Sequence, residues 1–510
     1  MKLFPVSQIS DIDAYTVQNE PISSIDLMER ASLAFCCKFI GLYGLDIGVL
    51  ESIDVLVGPG NNGGDALAIA RLLSNKVNRI RVWLSVDDNK LSADALINLN
   101  RLEGISNIEC STVAEVHQLQ AIDEKSVIID GLFGSGLNRP LQGTQKELVQ
   151  LVNSLENDVV AIDIPSGLMG EDNSANDLHA IIKADITISF QFLKLCFLLP
   201  ENAEYVGLWK VVDIGLHRSI INQKSTPYYY TGIDEAKSLL KKRNAFAHKG
   251  KFGHALLLAG SYGKMGAAVL ASRACLRAGV GLLTAHVPRL GYDIIQTAVP
   301  EAMASVDRSD ILISEFPELD TFNAIGVGPG MGTKPNSCLA LKELLKMVSD
   351  KPLVLDADAI NILGIDPECL SALPPNTILT PHPGEFDRLV GKLTSGFERL
   401  QKAIGFAKKH QCIVVLKGAY SAVIDSSGDC YFNSSGNAGM ATAGSGDALT
   451  GVVLALLAQG YEALDAARLA VYLHGLSGDI YIGEQAQESL TASELIDYLG
   501  KAFYRMQQEK

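Results

Sequence analysis

The stretch NAGMATAGSGDALTG, residues 437–451, places a single carboxylate in a glycine-rich turn ahead of an apolar run. The glycines before Asp447 allow backbone N–H groups to point at an anion, and the dipole of a following helix adds favourable potential. A carboxylate beside such an anion hole can take the proton from a hydroxyl that attacks a phosphoryl group. The alternative is that Asp447 only caps a buried helix, and this motif alone leaves both interpretations open.

A phosphoryl-transfer site of this kind would be built without a P-loop, because no GxxxxGK[ST] sequence occurs in the chain. Further small-residue or charged segments follow predicted strands: AGSYGKMGAAVLA (259–271), GVGPGMG (326–332), LDADAIN (355–361), TPHPGEFDRL (380–389) and VLKGAYSAV (415–423). Lys417 at a strand end could meet a nucleotide phosphate, and His382 is held between two prolines. Either residue alone is more often structural, so only the combination favours a nucleotide site.

The first half contains GPGNNGGD at residues 58–65, between a predicted strand and a predicted helix. Its glycines satisfy GxGxxG, and Asp87 lies near the end of the next strand, as in a dinucleotide-binding fingerprint. Asp65, however, would repel a pyrophosphate at the helix start, which argues against a hydride-transfer domain. The structural alternative is that Asp65 caps its helix.

Two more loops follow predicted strands of the first half, IIDGLFGSGLNRP (128–140) and AIDIPSGL (161–168). In open α/β sheets, ligands bind at the carboxyl edge of the strands. Four polar side chains from these two loops and the motif at residues 58–65 are therefore expected to converge there, namely Asn62, Asp130, Asp163 and Ser166. Their oxygens suit a hard cation rather than zinc. Asp163 is a candidate acid or base, although a lone aspartate at a strand end is often structural.

The framework that must position these loops is an alternation of strand and helix patterns along the whole chain. In the first half the pattern predicts strands at Asp54–Val57, Ile80–Val86, Val127–Asp130, Val159–Asp163 and Ile186–Phe190, and helices at Ser23–Ile40, Asp65–Ser74, Ala93–Arg101 and Gln145–Leu155. In the second half it predicts strands at Ala255–Ala259, Leu282–Val287, Ala324–Val327, Leu353–Asp356, Thr377–Thr380 and Ile413–Leu416, a hairpin over Ser421–Phe432, and helices at Ala267–Ala278, Gly384–Val390, Ser395–Lys409, Gly446–Leu457 and Ala463–Tyr481. Such alternation indicates parallel sheets with right-handed crossovers. The halves do not repeat one another, so we predict two different layered α/β domains.

The boundary between the domains is placed in residues 213–236, a polar stretch with a tyrosine triplet, giving domains at residues 1–220 and 230–510. The basic run KKRNAFAHKGKFG, residues 241–253, follows on an otherwise acidic chain. It is either a solvated loop or a segment that faces an anion, and the sequence does not decide between them.

The composition of the chain limits its function classes. A net charge of −15 over 510 residues argues against a general nucleic-acid binder. The nine cysteines show no CxxC or zinc spacing, which is typical of free thiols in a reducing compartment. The N-terminus lacks a signal-peptide pattern, and no apolar run reaches the ~18 residues of a membrane span. We therefore expect a cytoplasmic protein without nucleic-acid or membrane partners, and a homo-oligomer.

The N-terminal motifs GPGNNGGD, DGLFGSGLNRP and IDIPSG together resemble the N-terminal domain of the YjeF family, the NAD(P)H-hydrate epimerases, over roughly residues 1–215. The resemblance implies a Rossmann-like domain that binds K⁺ and epimerises the hydroxyl-bearing carbon of hydrated NAD(P)H. It implies that Asn62, Asp130 and Ser166 bind the ion, and that Asp163 is the acid or base. The substrate would be bound by Asn61, Asn62, Gly63, Gly64, Asp65, Gly134, Ser135, Gly136, Leu137, Asn138, Arg139, Pro140 and Asp163. The chain departs from the family pattern at Ala66, where glycine is more usual.

The C-terminal motifs TPHPGEF, LKGAYSAV and NAGMATAGSGDALTG resemble the ribokinase-like superfamily, and within it the ADP/ATP-dependent NAD(P)H-hydrate dehydratases, over roughly residues 230–505. The resemblance implies that ADP or ATP, with Mg²⁺, phosphorylates the substrate hydroxyl with Asp447 as base. Phosphate then leaves and NAD(P)H is restored, with AMP formed from ADP. The hydrate would be contacted by Ala267, Gly330, His382 and Asp447, and the nucleotide by Lys417, Gly418, Ala419, Tyr420, Ser421 and Gly446.

Together the two resemblances predict a bifunctional repair enzyme, both isomerase and lyase. Its first half would interconvert the R and S hydrates, NADHX and NADPHX, and its second half would dehydrate the S form. The main competing function is a small-molecule kinase of the ribokinase superfamily with a non-catalytic, nucleotide-binding N-terminal domain. Less favoured are a sensing or protein-binding role for the first half and an NAD-dependent dehydrogenase built on residues 58–63. The preference for ADP or ATP, and whether substrate passes directly between the sites, are left open.

Overall fold

Nearly continuous apolar runs form the central strands of this protein, as expected for parallel strands buried on both faces. The computed structural model describes residues 1–44, 50–348 and 350–508. It divides into two units, Lys2–Thr226 and Pro227–Lys510. Each unit contains its own sheet and its own apolar core.

The strands of the first unit are β1 (Lys2–Leu3), β2 (Leu50–Val57), β3 (Val77–Leu84), β4 (Ile108–Thr112), β5 (Val127–Gly131), β6 (Val159–Ile162), β7 (Ile186–Phe190) and β8 (Leu208–Val212). Its helices are α1 (Val6–Asn19), α2 (Ser24–Leu42), α3 (Asn61–Leu73), α4 (Ala93–Asn100), α5 (Thr144–Val152), α6 (Ala203–Val206) and α7 (Arg218–Gln223). Strands β2 to β8 form one sheet in the order β4-β3-β2-β5-β6-β7-β8.

All neighbouring strands of this seven-stranded sheet are parallel. The chain changes direction across the sheet between β2 and β5, and the loops after these two strands meet at that point. A Cβ on Gly58, after β2, would lie 1.6 Å from the carbonyl oxygen of Leu132, after β5, so only glycine allows this approach. Such a switch point at the carboxyl edge is where open α/β sheets bind ligands.

The strands of the second unit are β9 (Tyr228–Thr231), β10 (His254–Leu258), β11 (Leu282–Val287), β12 (Met303–Val306), β13 (Ala324–Val327), β14 (Leu353–Leu355), β15 (Ile378–Leu379), β16 (Ile413–Leu416), β17 (Ala422–Ile424) and β18 (Cys430–Asn433). Its helices are α8 (Ile233–Ser238), α9 (Met265–Arg277), α10 (Tyr292–Ala298), α11 (Pro335–Met347), α12 (Ala357–Ile365), α13 (Glu368–Ser371), α14 (Pro383–Val390), α15 (Gly396–His410), α16 (Ser445–Ala458), α17 (Ala463–Ile482) and α18 (Ala492–Gln508). Within the unit the strand order is β9-β18-β17-β16-β15-β14-β13-β10-β11-β12.

Strands β10 to β16 of the second sheet are parallel, whereas β16, β17 and β18 are successively antiparallel. The chain changes direction between β10 and β13, which again places a ligand crevice at the carboxyl edge. Helix α16 is buried without interruption from Ala448 to Ala458. A helix that is apolar on every side belongs in a core, and this one packs against α9 and α17.

The predicted α/β class and both layered domains are confirmed, as is the hairpin of β17 and β18. The division between Thr226 and Pro227 lies within residues 213–236, where the boundary was placed, and this stretch contains α7, β9 and α8. The tyrosine triplet forms β9, which pairs in parallel with β18. Helices α1, α6, α10, α11, α12, α13 and α18 and strands β1, β4, β8 and β12 were also not predicted. Among the described residues, no helix combines the length and apolarity needed to cross a bilayer.

Candidate functional site

The first unit has a cavity of about 780 Å³ at the carboxyl edge of its sheet. The predicted site residues on its wall are Asn61, Asn62, Asp65, Gly134, Ser135, Gly136, Leu137 and Asp163. Residues Asn138, Arg139 and Pro140 are not part of this wall, and Gly63 and Gly64 are buried within α3. The structure therefore brings together most, but not all, of the predicted substrate-binding residues of this half.

Asp163 follows β6 and adopts a left-handed backbone conformation with φ of 64°. Its carboxylate forms a buried ion pair with Lys194, whose side chain is only 1% exposed. The backbone N–H of Phe190 also donates to this carboxylate, at 3.0 Å. A strained non-glycine backbone that holds an aspartate in a cavity is typical of a functional site rather than of a turn.

Two further carboxyl groups share this cavity. Burial, followed by the charge of Asp163, raises the pKa of Asp13 to about 6. Burial also raises the pKa of Asp65 well above its ordinary value. The interpretation of Asp65 as a helix cap is wrong, because α3 begins four residues earlier, and this side chain instead accepts a hydrogen bond from Ser32 at 3.3 Å. The site thus combines an ion-paired carboxylate with two carboxyls whose pKa values are raised by burial.

Of the three predicted cation ligands, Asn62 lines the cavity, whereas Asp130 and Ser166 are fully buried and are not among its lining residues. The Ser166 hydroxyl donates to Asp130 at 2.6 Å, and the backbone N–H of Ser166 donates to the same carboxylate at 2.8 Å. Burial raises the pKa of Asp130 to about 6, although these hydrogen bonds act in the opposite direction. Asn62 packs against Gly134, and its buried Nδ2 has no hydrogen-bond partner among the described residues. Ala66 is fully buried against Gly131 and does not face the cavity.

The second unit has a cavity of about 780 Å³ at the corresponding edge of its own sheet. Most of the predicted site residues of this half line it: His382, Lys417, Gly418, Ala419, Tyr420, Ser421, Gly446 and Asp447. Ala267 and Gly330 are not among its lining residues. They face each other across a neighbouring loop, where a Cβ on Gly330 would lie 3.1 Å from the Ala267 methyl group.

Asp447 is the third residue of α16, and Gly444 immediately precedes the helix. Gly444 has φ of 87°, a left-handed conformation that glycine adopts without strain. The side chain of Asp447 makes no cap hydrogen bond, so the helix-cap interpretation is wrong. The first backbone N–H groups of α16 lack partners within the helix and can hold an anion beside this carboxylate.

The electrostatics at Asp447 favour a base that works near neutral pH. Burial, followed by the charge of Asp356, raises the pKa of Asp447 to about 7. Burial lowers the pKa of Lys417, but the carboxylates of Asp356 and Glu385 outweigh this effect, and the net pKa is raised. Lys417 therefore stays charged in the cavity and can meet an anionic ligand.

His382 contributes to this site through its place at the start of α14. Its Nδ1 accepts hydrogen bonds from the backbone N–H groups of Gly384 and Glu385, at 3.0 and 3.3 Å. This leaves Nε2 near the Glu385 carboxylate, at 3.5 Å. The ring is half-exposed and lines the cavity, so it can contact a ligand while its orientation is fixed by the helix.

Both units match known protein families. Residues 24–196 match the family of YjeF-related protein N-termini, and residues 255–501 match the NAD(P)H-hydrate dehydratase family. The bifunctional NAD(P)H-hydrate repair enzyme of Moorella thermoacetica is 32% identical, over 100% of this chain and 98% of that protein. The enzyme of the same name from Thermofilum pendens is 33% identical, over 100% and 97%. This chain belongs to the family of bifunctional NAD(P)H-hydrate repair enzymes.

Several solved structures are similar to part of this repair enzyme. The ADP/ATP-dependent NAD(P)H-hydrate dehydratase of Bacillus subtilis, co-crystallised with ATP and Mg²⁺, is 32% identical with a TM-score of 0.48. The match covers 55% of this chain and 98% of that one. As a member of its family, this repair enzyme is an NAD(P)H-hydrate epimerase in its first half and a nucleotide-dependent dehydratase in its second. The family membership favours this interpretation over the small-molecule kinase.

Three residues of the two cavities were missed in the sequence of this repair enzyme. Lys194 lies in the apolar segment FQFLKLCFLL, and a lone lysine in such a run is a signal that could have revealed it. Asp13 lies on α1, which was not predicted, and its surroundings gave no signal. His474 is buried on α17 against Ser445, and burial lowers its pKa to about 4. A lone histidine in an apolar helix is indistinguishable from a core residue.

Proposed function

We propose that Asp447 is the base of the dehydratase half, acting on the hydroxyl of the S hydrate. Asp447 accepts the hydroxyl proton while the hydroxyl oxygen attacks the terminal phosphorus of ADP or ATP. The bond from phosphorus to the leaving nucleotide breaks, which gives AMP when ADP is the donor. The N–H groups at the start of α16 stabilise the charge that develops on the transferred group.

The second stage removes the phosphate again. The C–O bond of the phosphate ester breaks, and the neighbouring ring carbon loses a proton, so that the double bond of NAD(P)H returns. Lys417 holds the charge of the phosphate throughout, because its ammonium stays protonated in the cavity. The net result is water removed from the hydrate and one phosphoryl group released from the nucleotide.

The nucleotide and the hydrate are assigned to different parts of this site. Residues Lys417–Ser421 and Gly446 bind the nucleotide, and His382, with Ala267 and Gly330, binds the hydrate. Mg²⁺ usually reaches such sites with the nucleotide phosphates and needs only one or two protein carboxylates. Asp356 fits that need, because its carboxylate lines the same cavity. Bound Mg²⁺ would offset the charge of the phosphoryl oxygens.

In the epimerase half, we propose that Asp163 is the acid or base and that Asp13 is its counterpart. A proton donor on one face and a proton acceptor on the other can together invert the configuration of a carbon. Asp163 forms an ion pair with Lys194, and burial raises the pKa of Asp13 to about 6, so that this carboxyl can exchange a proton near neutral pH. Two carboxyls in such different surroundings are suited to these opposite roles. The remaining cavity residues, from Asn61 to Asp65 and from Gly134 to Pro140, bind the substrate.

The three predicted cation ligands fit a bound K⁺. Asn62, Asp130 and Ser166 offer carboxylate, amide and hydroxyl oxygens, which hard cations prefer. The described residues contain no cluster of three His, Cys, Asp or Glu that would suit a transition metal. Asn62 would bind the ion through its amide oxygen, because its unpartnered Nδ2 is a hydrogen-bond donor. Bound K⁺ would order the loops that hold the substrate.

The observation that carries the dehydratase proposal is the placement of Asp447 and Lys417 in one cavity at the start of α16. The test is product analysis with purified S hydrate and ADP. We expect recovery of reduced-nicotinamide absorbance together with equal amounts of AMP and phosphate. A phosphorylated hydrate that accumulates without this recovery would favour the kinase function instead.

We also propose that the enzyme is cytoplasmic and forms a homo-oligomer. The cysteines of the described residues are all free thiols, which supports a reducing compartment. Sedimentation velocity of the purified chain tests the assembly, and a mass equal to one chain of 54.6 kDa would contradict it.

A further inference from the structure

The basic run at residues 241–253 takes no part in the chemistry proposed above, yet it forms the wall of another cavity in the second unit. This cavity has a volume of about 860 Å³. Its lining includes six cationic residues, namely Lys237, Lys241, Lys242, Arg243, Lys251 and Arg277, and no Asp or Glu. On a chain with a net charge of −15, this is a local reversal of charge that attracts anions.

Two of these cations hold the basic run in place. Lys241 donates to the carbonyl of Gly460 at 2.5 Å, and its ammonium lies 4.5 Å from the centre of the Tyr461 ring. Arg243 donates to the carbonyl of Gly279 at 2.5 Å and stacks 4.0 Å from the Phe252 ring. These carbonyls lie just beyond the C-terminal ends of α16 and α9, so the run is fixed to two core helices.

The other cations remain available to a ligand. Lys237, Lys242 and Lys251 form no ion pair with any residue that the structure describes. Arg277 pairs with Asp497 at 3.4 Å, but both side chains are about half-exposed, so this pair is weak. Three or four positive charges therefore face one another without a compensating carboxylate on the cavity wall.

The same cavity also has apolar lining residues. They are Leu240, Leu456, Phe503 and Met506, together with the Phe252 and Tyr461 rings. Ammonium and guanidinium groups combined with apolar and aromatic side chains in one cavity suit a ligand with phosphate at one end and a flat or apolar body at the other. Arginine and lysine bind phosphate oxygens, while aromatic and aliphatic side chains bury the body.

This cavity is separate from the dehydratase site. The two cavities share no lining residue. Asp447 is in the first turn of α16, whereas Leu456 is in its last turn. At about 1.5 Å per residue, these positions lie roughly 14 Å apart along the helix axis.

We propose that this cavity is a second anion site, which binds a phosphorylated small molecule of the nucleotide class. The proposal does not depend on the roles assigned to Asp447 or Asp163. It accounts for the basic run on an acidic chain, and it makes that run a binding element rather than a solvated loop.

The test uses the full chain, with ATP as the probe in equilibrium dialysis at low and high salt. The test variant is Lys242→Gln/Lys251→Gln, because both side chains are exposed and neither supports the fold. The control is Lys346→Gln/Lys409→Gln, which removes equal charge from exposed helical positions outside the cavity. We expect one ATP-binding event that the test variant weakens at least tenfold and the control leaves unchanged, while binding at the dehydratase site persists in both.

Two competition experiments define the chemistry of the ligand. Tripolyphosphate should displace ATP from the Lys242 and Lys251 site as salt is lowered, whereas adenosine at the same concentration should not. Unchanged ATP binding in the test variant would overturn the proposal. The proposal would also be overturned if an oligonucleotide or an acidic peptide bound through Lys242 and Lys251 and ATP did not bind there.

Discussion

The Lys417 ammonium lies 3.0 Å from one carboxylate oxygen of Asp356. The other oxygen of Asp356 accepts a hydrogen bond from the Thr450 hydroxyl at 2.6 Å. Asp356 follows β14, Lys417 follows β16 and Thr450 lies on α16, so this one carboxylate ties the edge of the sheet to the helix that carries Asp447. It orients the positive charge of the site and also raises the pKa of the proposed base.

The pH dependence of dehydration follows from that arrangement. Burial and Asp356 raise the pKa of Asp447 to about 7, and a base acts only when it is deprotonated. We therefore expect kcat/KM for the S hydrate to rise with pH up to about 7, and to fall about tenfold per pH unit well below it. A profile measured from pH 5 to 9 at saturating ADP checks this, and a flat response between pH 5.5 and 8 would contradict it.

Gly446→Ala tests the assignment of the nucleotide site. The added methyl group would lie 3.3 Å from the Lys417 ammonium and 3.9 Å from Asp356, in the space given to phosphate. Gly446 has an ordinary helical backbone, so alanine should preserve the stability of α16 or raise it by up to about 1 kcal/mol. We expect an unchanged or higher Tm and about a tenfold higher KM for ADP.

The matched control for this substitution is Gly500→Ala on α18. A Cβ at Gly500 meets no other atom within 4 Å, so alanine there gains the same helix propensity without entering the site. An equal rise in KM for ADP in both variants, or no rise in either, would contradict the assignment of Gly446 to the nucleotide site.

Substitutions in the ion pair of Asp163 and Lys194 should have separable effects on epimerase activity and on stability. Lys194→Met leaves a buried carboxylate unpaired, which costs about 3–5 kcal/mol. It should abolish conversion of the R hydrate to the S hydrate, while dehydration of purified S hydrate is retained. Chemical denaturation and an epimerase assay check the two effects.

Asp163→Asn combined with Lys194→Met should recover most of the stability but none of the epimerisation. That combination separates a structural role from a chemical one. If the double variant regained conversion of the R hydrate, Asp163 would not be the acid or base.

The buried contact between Asp307 and His286 should contribute to the loss of stability of the second unit at low pH. Burial acts to raise the pKa of Asp307, but hydrogen bonds from His286 and Ser314 outweigh it, and the net pKa is well below the ordinary value. A carboxyl with a lower pKa in the folded state adds stability above its unfolded pKa of about 3.9, and this stability is lost as pH falls below that value.

Asp307→Asn should therefore destabilise the second unit by about 2 kcal/mol at pH 7 and much less near pH 2. Calorimetric melting of wild type and variant at several pH values measures this difference. If the difference in stability between wild type and variant stayed constant from pH 7 to pH 2, the charge of Asp307 would contribute nothing to the stability of the second unit.

The central strands and the site loops could be predicted because their signals are local. Strands such as β7, β11, β13 and β16 are short apolar runs whose limits coincide with the pattern. Strand β9 was missed because its tyrosine triplet has polar flanks and its pairing partner, β18, lies some two hundred residues along the chain. Tertiary pairing, not local propensity, decides such a strand.

For the candidate sites, too, the sequence predicts local loops but not the tertiary contacts between them. The motifs at residues 58–65 and 437–451 predict glycine-rich loops, and in the structure these loops line cavities. Whether Asp447 caps its helix depends on backbone geometry at Gly444, which the sequence leaves open. The ion pair of Asp163 with Lys194 also cannot be predicted from the sequence, because these two residues come together only when the sheet folds.

The most direct test of the central claim gives the full chain a mixture of R and S NADH hydrates with ADP, and follows the absorbance of reduced nicotinamide. Wild type should convert the whole mixture to NADH, because the epimerase half supplies the S form. Asp447→Asn should fold normally and lose at least about a hundredfold in rate, while R and S hydrates still interconvert. Recovery of NADH by Asp447→Asn at the wild-type rate would contradict the account.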